Sequence, residues 1–342
     1  MRIIIDAMGG DNAPDAIVRG AVDAAKEFGT AITLVGRGGE ILESLKKQGI
    51  DTLPEGVEIA NADDVVDMHD DPATVMHARR DSSMLVALRM LAEGKGDAVI
   101  SAGSTGALLT AATLTVKRVK GIRRAALAPV IPTKGGSAVL IDCGANAECT
   151  PEFLLQFGYM GSFCAERFDG KKNPRVGLLN IGAEDTKGTD LQRQAYALLK
   201  NAPGLNFVGN IEGREAMEGA VDVIVADGFS GNIMLKCIEG TGLFLASEMK
   251  KIFLKNLATK IGALLCKSGI NDFKKLLDYR ETGGTMLLGL KKPVIKAHGS
   301  SDARAIRSAV RQAIAVSESG VTELIEQNID KMVLPKEHKN VE

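Results

Sequence analysis

Short apolar runs recur along the chain, and most are followed by a polar turn and then by a stretch with helical spacing. The runs predict strands at residues 2–5, 31–35, 98–101, 127–131, 138–141, 176–180, 206–208, 222–225 and 294–296. They are continuous rather than alternating, which is the pattern of strands covered on both faces. Helical spacing marks residues 82–92, 105–116, 191–199 and 302–316. Pro14 and Pro151 stand where a first helical turn tolerates a missing N–H, so each marks a helix start. Strand and helix in alternation predict an α/β fold, a three-layer α/β/α sandwich with a mostly parallel, Rossmann-like sheet. No linker rich in Pro, Gly and Ser divides the chain. Residues 1–334 therefore read as one domain, and 335–342 as a frayed tail.

One segment breaks this rhythm. Residues 241–279 carry no strand signal, and Leu245, Met249, Ile252, Phe253, Leu257, Ile261, Leu264 and Leu265 recur every three or four positions. Lys250, Lys251, Lys255, Lys260, Lys267, Lys274 and Lys275 surround this stripe. The segment reads as an inserted, protruding helical hairpin broken at Ser268-Gly269-Ile-Asn271. It packs on the core or on a second subunit, or else it meets an acidic partner or an anionic membrane.

Six strand ends lead into loops of Gly, Asp, Ser or Asn with a helix directly behind. The loops are Asp6-Ala-Met-Gly-Gly-Asp11, Ser101-Ala-Gly-Ser-Thr-Gly106, Asp142-Cys-Gly-Ala-Asn146, Asn180-Ile-Gly-Ala-Glu-Asp185, Ala226-Asp-Gly-Phe-Ser-Gly231 and Ala297-His-Gly-Ser-Ser-Asp302. A parallel sheet gathers such loops along one edge, where ligands bind. Helix starts behind them offer unpaired N–H groups and partial positive charge, which suits an anion such as phosphate. Two or three of the six are expected to be plain turns.

Composition narrows the classes. With 4% aromatic residues and no Trp, the chain lacks the rings on which single-stranded nucleic acid stacks. A net charge of −1 removes whole-surface attraction to nucleic acid. Five scattered cysteines without a C-x-x-C fit a reduced cytoplasmic protein rather than a disulfide scaffold or zinc site, and no metal is expected. Val35-Gly-Arg-Gly-Gly-Glu-Ile41 starts like a dinucleotide fingerprint but has Ile41 where the third glycine belongs. No phosphate-loop motif of the G-x-x-x-x-G-K-[ST] type and no G-x-S-x-G occurs, and Cys143 reads as a core residue.

Anion chemistry remains. Lys187 follows a strand in Gly182-Ala-Glu-Asp-Thr-Lys-Gly188 and could reach an oxyanion. Asn232 stands at a helix start and could donate to a developing oxyanion, and His298 could serve as an acid or base. Candidate phosphate or substrate contacts are Asp6, Gly9, Gly10 and Asn12, then Gly103, Ser104, Thr105 and Gly106. Asn146, Asp227, Ser230, Ser300 and Ser301 complete the set.

The ordered set Ile5-Asp-Ala-Met-Gly-Gly-Asp-Asn-Ala-Pro14, Ser101-Ala-Gly-Ser-Thr-Gly-Ala107, Asp142-Cys-Gly-Ala-Asn146, Asp227-Gly-Phe-Ser-Gly-Asn232 and Val294-Ile-Lys-Ala-His-Gly-Ser-Ser-Asp302 resembles the bacterial phosphate acyltransferases of phospholipid synthesis. The resemblance runs over about residues 1–330. It implies attack of inorganic phosphate on the thioester of a long-chain acyl carrier protein, giving acyl phosphate and a free thiol. It also implies a homodimer, a fold like that of phosphotransacetylases and isocitrate-type dehydrogenases, and action beside a membrane glycerol-phosphate acyltransferase at the inner face of the cell membrane. No cofactor is implied. In that setting His298 would give a proton to the leaving thiolate. Lys250, Lys251, Lys255 and Lys260 would steer the acidic carrier, and Leu257, Ile261, Leu264 and Leu265 would line an acyl groove or dip into lipid. The alternatives are an NAD-linked dehydrogenase of related fold and a non-catalytic adaptor that holds carrier protein at the membrane.

Overall fold

The computed structural model describes residues 1–168, 170–270, 273 and 283–334. The chain is α/β, as expected, but its strands divide between two sheets. Seven strands form the first: β1 (Arg2–Asp6), β2 (Ala31–Gly36), β3 (Val57–Asn61), β4 (Ala98–Ser101), β5 (Ala126–Ala128), β11 (Thr285–Leu288) and β12 (Val294–Lys296), in the order β3-β2-β1-β4-β12-β11-β5. Only β11 runs against its neighbours. Five strands form the second: β6 (Val130–Thr133), β7 (Gly136–Ile141), β8 (Val176–Leu179), β9 (Phe207–Ile211) and β10 (Val223–Val225), in the order β6-β7-β10-β8-β9, with β6 antiparallel to β7.

The single strand expected at 127–131 is two, β5 and β6, one in each sheet. Pro129 lies between them; it has no N–H to continue a ladder, and its carbonyl accepts from Leu140 N at 3.0 Å. The sheets meet at this joint, where Leu127 N donates to Asp142 Oδ1 at 2.9 Å and Cys143 N to Leu127 O at 3.2 Å.

Helices cover both faces of the first sheet. Ile3 and Ile5 point into one core, with α1 (Asp15–Phe28) and the helix Ala303–Ser319. Ile4 and Val99 point into the other, with α4 (Ser83–Ala92) and α5 (Thr105–Thr115). α1 and Ala303–Ser319 pack closely: a Cβ on Gly20 would lie 2.5 Å from Ala303 O and 2.6 Å from Ile306 Cβ. On the second sheet, α6 (Pro151–Phe168) buries Phe157 and Tyr159. Each such side chain contributes about 1.5–3 kcal/mol by leaving water.

The basic segment also differs from expectation. α9 (Gly228–Leu254) is one helix of 27 residues that starts in the second sheet and runs out from it. The break falls at Lys255–Asn256, not at Ser268-Gly269, which lies within a further helical stretch at 267–270. Asn256 causes it by capping α10 (Leu257–Leu265): its Oδ1 accepts from Thr259 N at 2.9 Å. α10 buries none of its residues, so the expectation that the stripe packs on the chain's own core fails for this helix. Lys274, Lys275 and the tail 335–342 lie outside the described residues.

Candidate active site

The strand ends of both sheets open on one cleft of about 550 Å³, lined by Asp11, Thr105, Cys143, Asn232, Lys236, Glu239, Lys296, His298 and Ser300 among others. Five of the six loops supply it, directly or through the first turn of the helix behind them. The loop at 180–185 supplies no lining residue.

Two buried aspartates hold the loops. Asp6 ends β1; its Oδ1 accepts from Ser83 Oγ at 2.6 Å and its Oδ2 from Ser101 Oγ at 2.7 Å. Burial pushes its carboxyl above the usual value, against the pull of these hydroxyls. Asp142 ends β7, and its oxygens accept from Leu127 N, Ala145 N and both nitrogens of Asn146. Both carboxylates are consumed by the scaffold. Asp6 is therefore scaffold rather than a phosphate contact: it is buried, and both of its oxygens accept from serine hydroxyls.

Several other candidates are also scaffold. Gly9 and Gly10 allow loops to touch, since Cβ atoms there would lie 2.8 Å from Gly103 N and 2.9 Å from Ala102 Cβ. Gly10 also has φ +102°, which favours glycine. Asn12 ties two loops by donating to Ser300 O and Ser301 O, both at 3.2 Å. Gly103 N donates to Ser101 Oγ at 3.1 Å, and Gly106 packs against Pro72. Ser104 stands at the cap of α5. Asn146 Nδ2 donates to Ala125 O at 2.9 Å. Asp227 caps α9 by accepting from Ser230 N at 2.9 Å. Ser301 Oγ donates to His298 O at 2.6 Å.

Four candidates reach the cleft: Thr105, Asn232, His298 and Ser300. Thr105 is the first residue of α5, whose first-turn N–H groups have no acceptor within the helix, and it lines the cavity. Asn232 is in the first turn of α9, and Lys236 and Glu239 follow on the same helix face, joined at 2.7 Å. Lys187 does not reach it. It is exposed on the loop after β8, where its N–H donates to Glu184 O at 3.1 Å.

His298 departs from the role of proton donor. Ser300 N donates to its Nδ1 at 3.3 Å, and Ser300 Oγ lies 2.9 Å from the same atom. An accepting Nδ1 places the proton of a neutral ring on Nε2. Burial, and then the Lys236 ammonium, push its pKa below the ordinary 6.5. At neutral pH His298 is an uncharged hydrogen-bond donor, not an imidazolium acid. Cys143, also in the cleft, has its thiol pushed well above 9 by burial and by Asp142, so it stays protonated and is a poor nucleophile.

Lys296 and Lys236 are cleft-lining cations that the sequence reasoning passed over. A lysine closing the apolar run Val294-Ile-Lys296 directly before a Gly-Ser loop was the available signal for the first. For the second it was the spacing of four from Asn232.

Cations, helix starts and neutral donors around one cleft at the strand ends of a doubly wound α/β fold define an anion-handling group-transfer fold. A phosphotransacetylase from Streptococcus pyogenes shares that fold, with a TM-score of 0.64 over 94% of each chain at 18% identity. A phosphotransacetylase from Staphylococcus aureus aligns over 93% of this chain and 94% of its own, with a TM-score of 0.59 at 14% identity. The chain belongs to the family described as fatty acid synthesis protein, whose model matches residues 1–324. It is 49% identical over 332 residues to a phosphate acyltransferase of Alkaliphilus oremlandii, covering 97% of this chain and 98% of the relative. It is 45% identical over 333 residues to one of Clostridium acetobutylicum, covering 97% and 100%.

Proposed function

We propose that this chain moves a long-chain fatty acyl group from acyl carrier protein to inorganic phosphate, giving acyl phosphate for membrane phospholipid synthesis. The observation that carries this reading is the meeting, in one cleft, of Lys236, Lys296 and the start of α5 with the neutral donors Asn232 and His298. In the first group, Lys236 and the start of α5 suit a phosphate dianion. The second suits the oxygen of a tetrahedral intermediate.

Phosphate is already a nucleophile, so the protein's work is to hold it against the thioester carbon. One phosphate oxygen attacks that carbon while Asn232 Nδ2 and His298 Nε2 donate to the carbonyl oxygen as it gains charge. Collapse breaks the carbon–sulfur bond and releases the carrier thiol. No acyl-enzyme is required, in keeping with a protonated Cys143. We assign Lys187, exposed on the loop after β8 and outside the cleft, to first contact with the incoming anion.

The long arm supplies the partner surfaces of this reading. Lys250, Lys251, Lys255 and Lys260 are exposed, and so are Leu257 at 75%, Leu264 at 68% and Leu265 at 81%. Part of the arm pairs with a second copy in a homodimer, its lysines receive the acidic carrier, and its tip touches the membrane. This contact is peripheral in the proposal; among the described residues no helix is long and apolar enough to cross a membrane. The protein acts in the cytoplasm at the inner face of the cell membrane and hands acyl phosphate to a membrane glycerol-phosphate acyltransferase. Residues 1–334 work as one acyltransferase domain.

The test is to mix the protein with palmitoyl acyl carrier protein, with and without phosphate, and follow free thiol and phosphorus NMR. Phosphate-dependent appearance of thiol and acyl phosphate together supports the reading. Thiol release without phosphate, or none at all, overturns it.

A further inference from the structure

We propose that Lys296 is the catalytic acid that protonates the departing sulfur of the acyl donor. The inference rests on the phosphate-acyltransfer reading above and names a group for its last step.

Three adjacent parallel strands set the geometry. Ile5 of β1 pairs with Ile100 of β4, and Ser101 of β4 with Lys296 of β12. Asp6, Ser101 and Lys296 thus end neighbouring strands in a row, and Ser101 Oγ donates across it to Asp6. Lys296 Nζ is held on the row by the carbonyls of Ala297 and of Ala102, the latter at 3.5 Å. An ammonium carries three protons, so two such bonds leave one for the cleft, which Lys296 lines together with His298 and Asn232.

The charges facing it are mixed. Asp6 and Asp11 favour the ammonium, while burial and Lys236 oppose it. Burial wins and brings Lys296 down to about 8. That value is close to an ordinary thiol's, about 8.5, so proton transfer to a departing alkyl thiolate is nearly balanced near neutral pH. The other groups in the cleft fit this step less well. His298 is neutral, Lys236 is paired with Glu239, and Cys143 is buried.

The step balances. The phosphate oxygen–carbon bond forms and the carbon–sulfur bond breaks with its electron pair going to sulfur. The sulfur takes a proton from Lys296 Nζ, and the neutral amine recovers one from water after the thiol leaves.

The experiment compares two palmitoyl thioesters, of pantetheine and of an aryl thiol whose anion needs no proton to leave. Wild type and the variants Lys296→Met and Lys296→Arg are assayed with saturating phosphate for acyl phosphate formation. We expect Lys296→Met to lower kcat about 100-fold or more with the pantetheine ester and less than about 5-fold with the aryl ester. Lys296→Arg, which keeps the charge but does not give up its proton, leaves the pantetheine rate low. The ratio between donors is read on one protein sample, so partial misfolding does not move it. Equal losses on both esters, or recovery by Lys296→Arg, would place Lys296 on phosphate or in the scaffold and overturn the assignment. If wild type makes no acyl phosphate from either ester, the acyltransfer reading falls first and the assignment goes with it.

Discussion

Gly231 sits directly beneath the backbone of Asp142: a Cβ built on it would lie 1.9 Å from the Asp142 carbonyl oxygen. This contact brings the first turn of α9, with Asn232, against the loop that ends β7. The Asp142 side chain in turn grips Leu127 N at the joint between the sheets. One small residue thereby links the position of Asn232, the proposed oxyanion donor, to the meeting of the two sheets.

Gly231→Ala must push α9 away from that loop, because backbone cannot yield as a flexible side chain would. We expect a stability loss of about 1–3 kcal/mol or more from overpacking. Displacing Asn232 by about 1 Å lowers kcat about 100-fold. Thermal unfolding and acyl phosphate formation check the two parts separately. An unchanged melting temperature would show that the contact is looser than described.

His298 acts as a neutral donor in this account. A general-acid histidine would make kcat fall as pH rises through its pKa, which here lies below 6.5. We expect instead no fall in kcat as pH rises from about 6.5 to about 7, because the ring donates in its neutral form. His298→Ala should cost about 100- to 1,000-fold in kcat, the scale of one oxyanion donor, while His298→Gln, which keeps an N–H, recovers part of it. A pH–rate profile for the three proteins decides between the roles.

Lys296 ties function to a cost in stability. Its folded value of about 8 lies below the ordinary 10.5, so the folded state disfavours the ammonium. Between those values the unfolded chain binds more protons, and stability rises with pH. Below about 8 the cost is fully present, with an upper bound of about 3 kcal/mol. Lys296→Met should therefore be at least as stable as wild type at pH 7, with the difference shifting toward wild type above pH 8. Urea unfolding over that range measures it.

The exposed tip of the arm gives an independent test. Replacing Leu264 and Leu265 with Glu removes two apolar contacts and adds negative charge beside Lys260. Sedimentation with anionic vesicles should drop to background while kcat on soluble donor stays within about 2-fold, since α10 lines no part of the cleft. Unchanged sedimentation would remove lipid contact from the account.

The general form of the site was legible from the chain. Gly9, Gly10 and Gly231 mark strand-to-helix turns by rules that are local, and so does Pro14 before α1. The division of labour among the loops was not. Asp6 and Asp227 look like ligand residues in sequence, and only three-dimensional partners show them spent on Ser83, Ser101 and Ser230. Lys296 was passed over because what sets it apart is burial between neighbouring strands that are distant in sequence. Two strands escaped for different reasons. Val57–Asn61 is an edge strand with a mixed burial pattern, and Thr285–Leu288 is a short antiparallel strand within a mostly parallel sheet. Pro129, read as part of one strand, is where the chain passes between sheets.

The central claim is direct attack of phosphate on the thioester within one cleft. Initial rates measured over a grid of acyl carrier protein thioester and phosphate concentrations test it most directly. Direct attack requires both substrates bound together and predicts intersecting double-reciprocal lines, with no burst of thiol when phosphate is withheld. Parallel lines, or a stoichiometric thiol burst without phosphate, would reveal an acyl-enzyme and contradict the account.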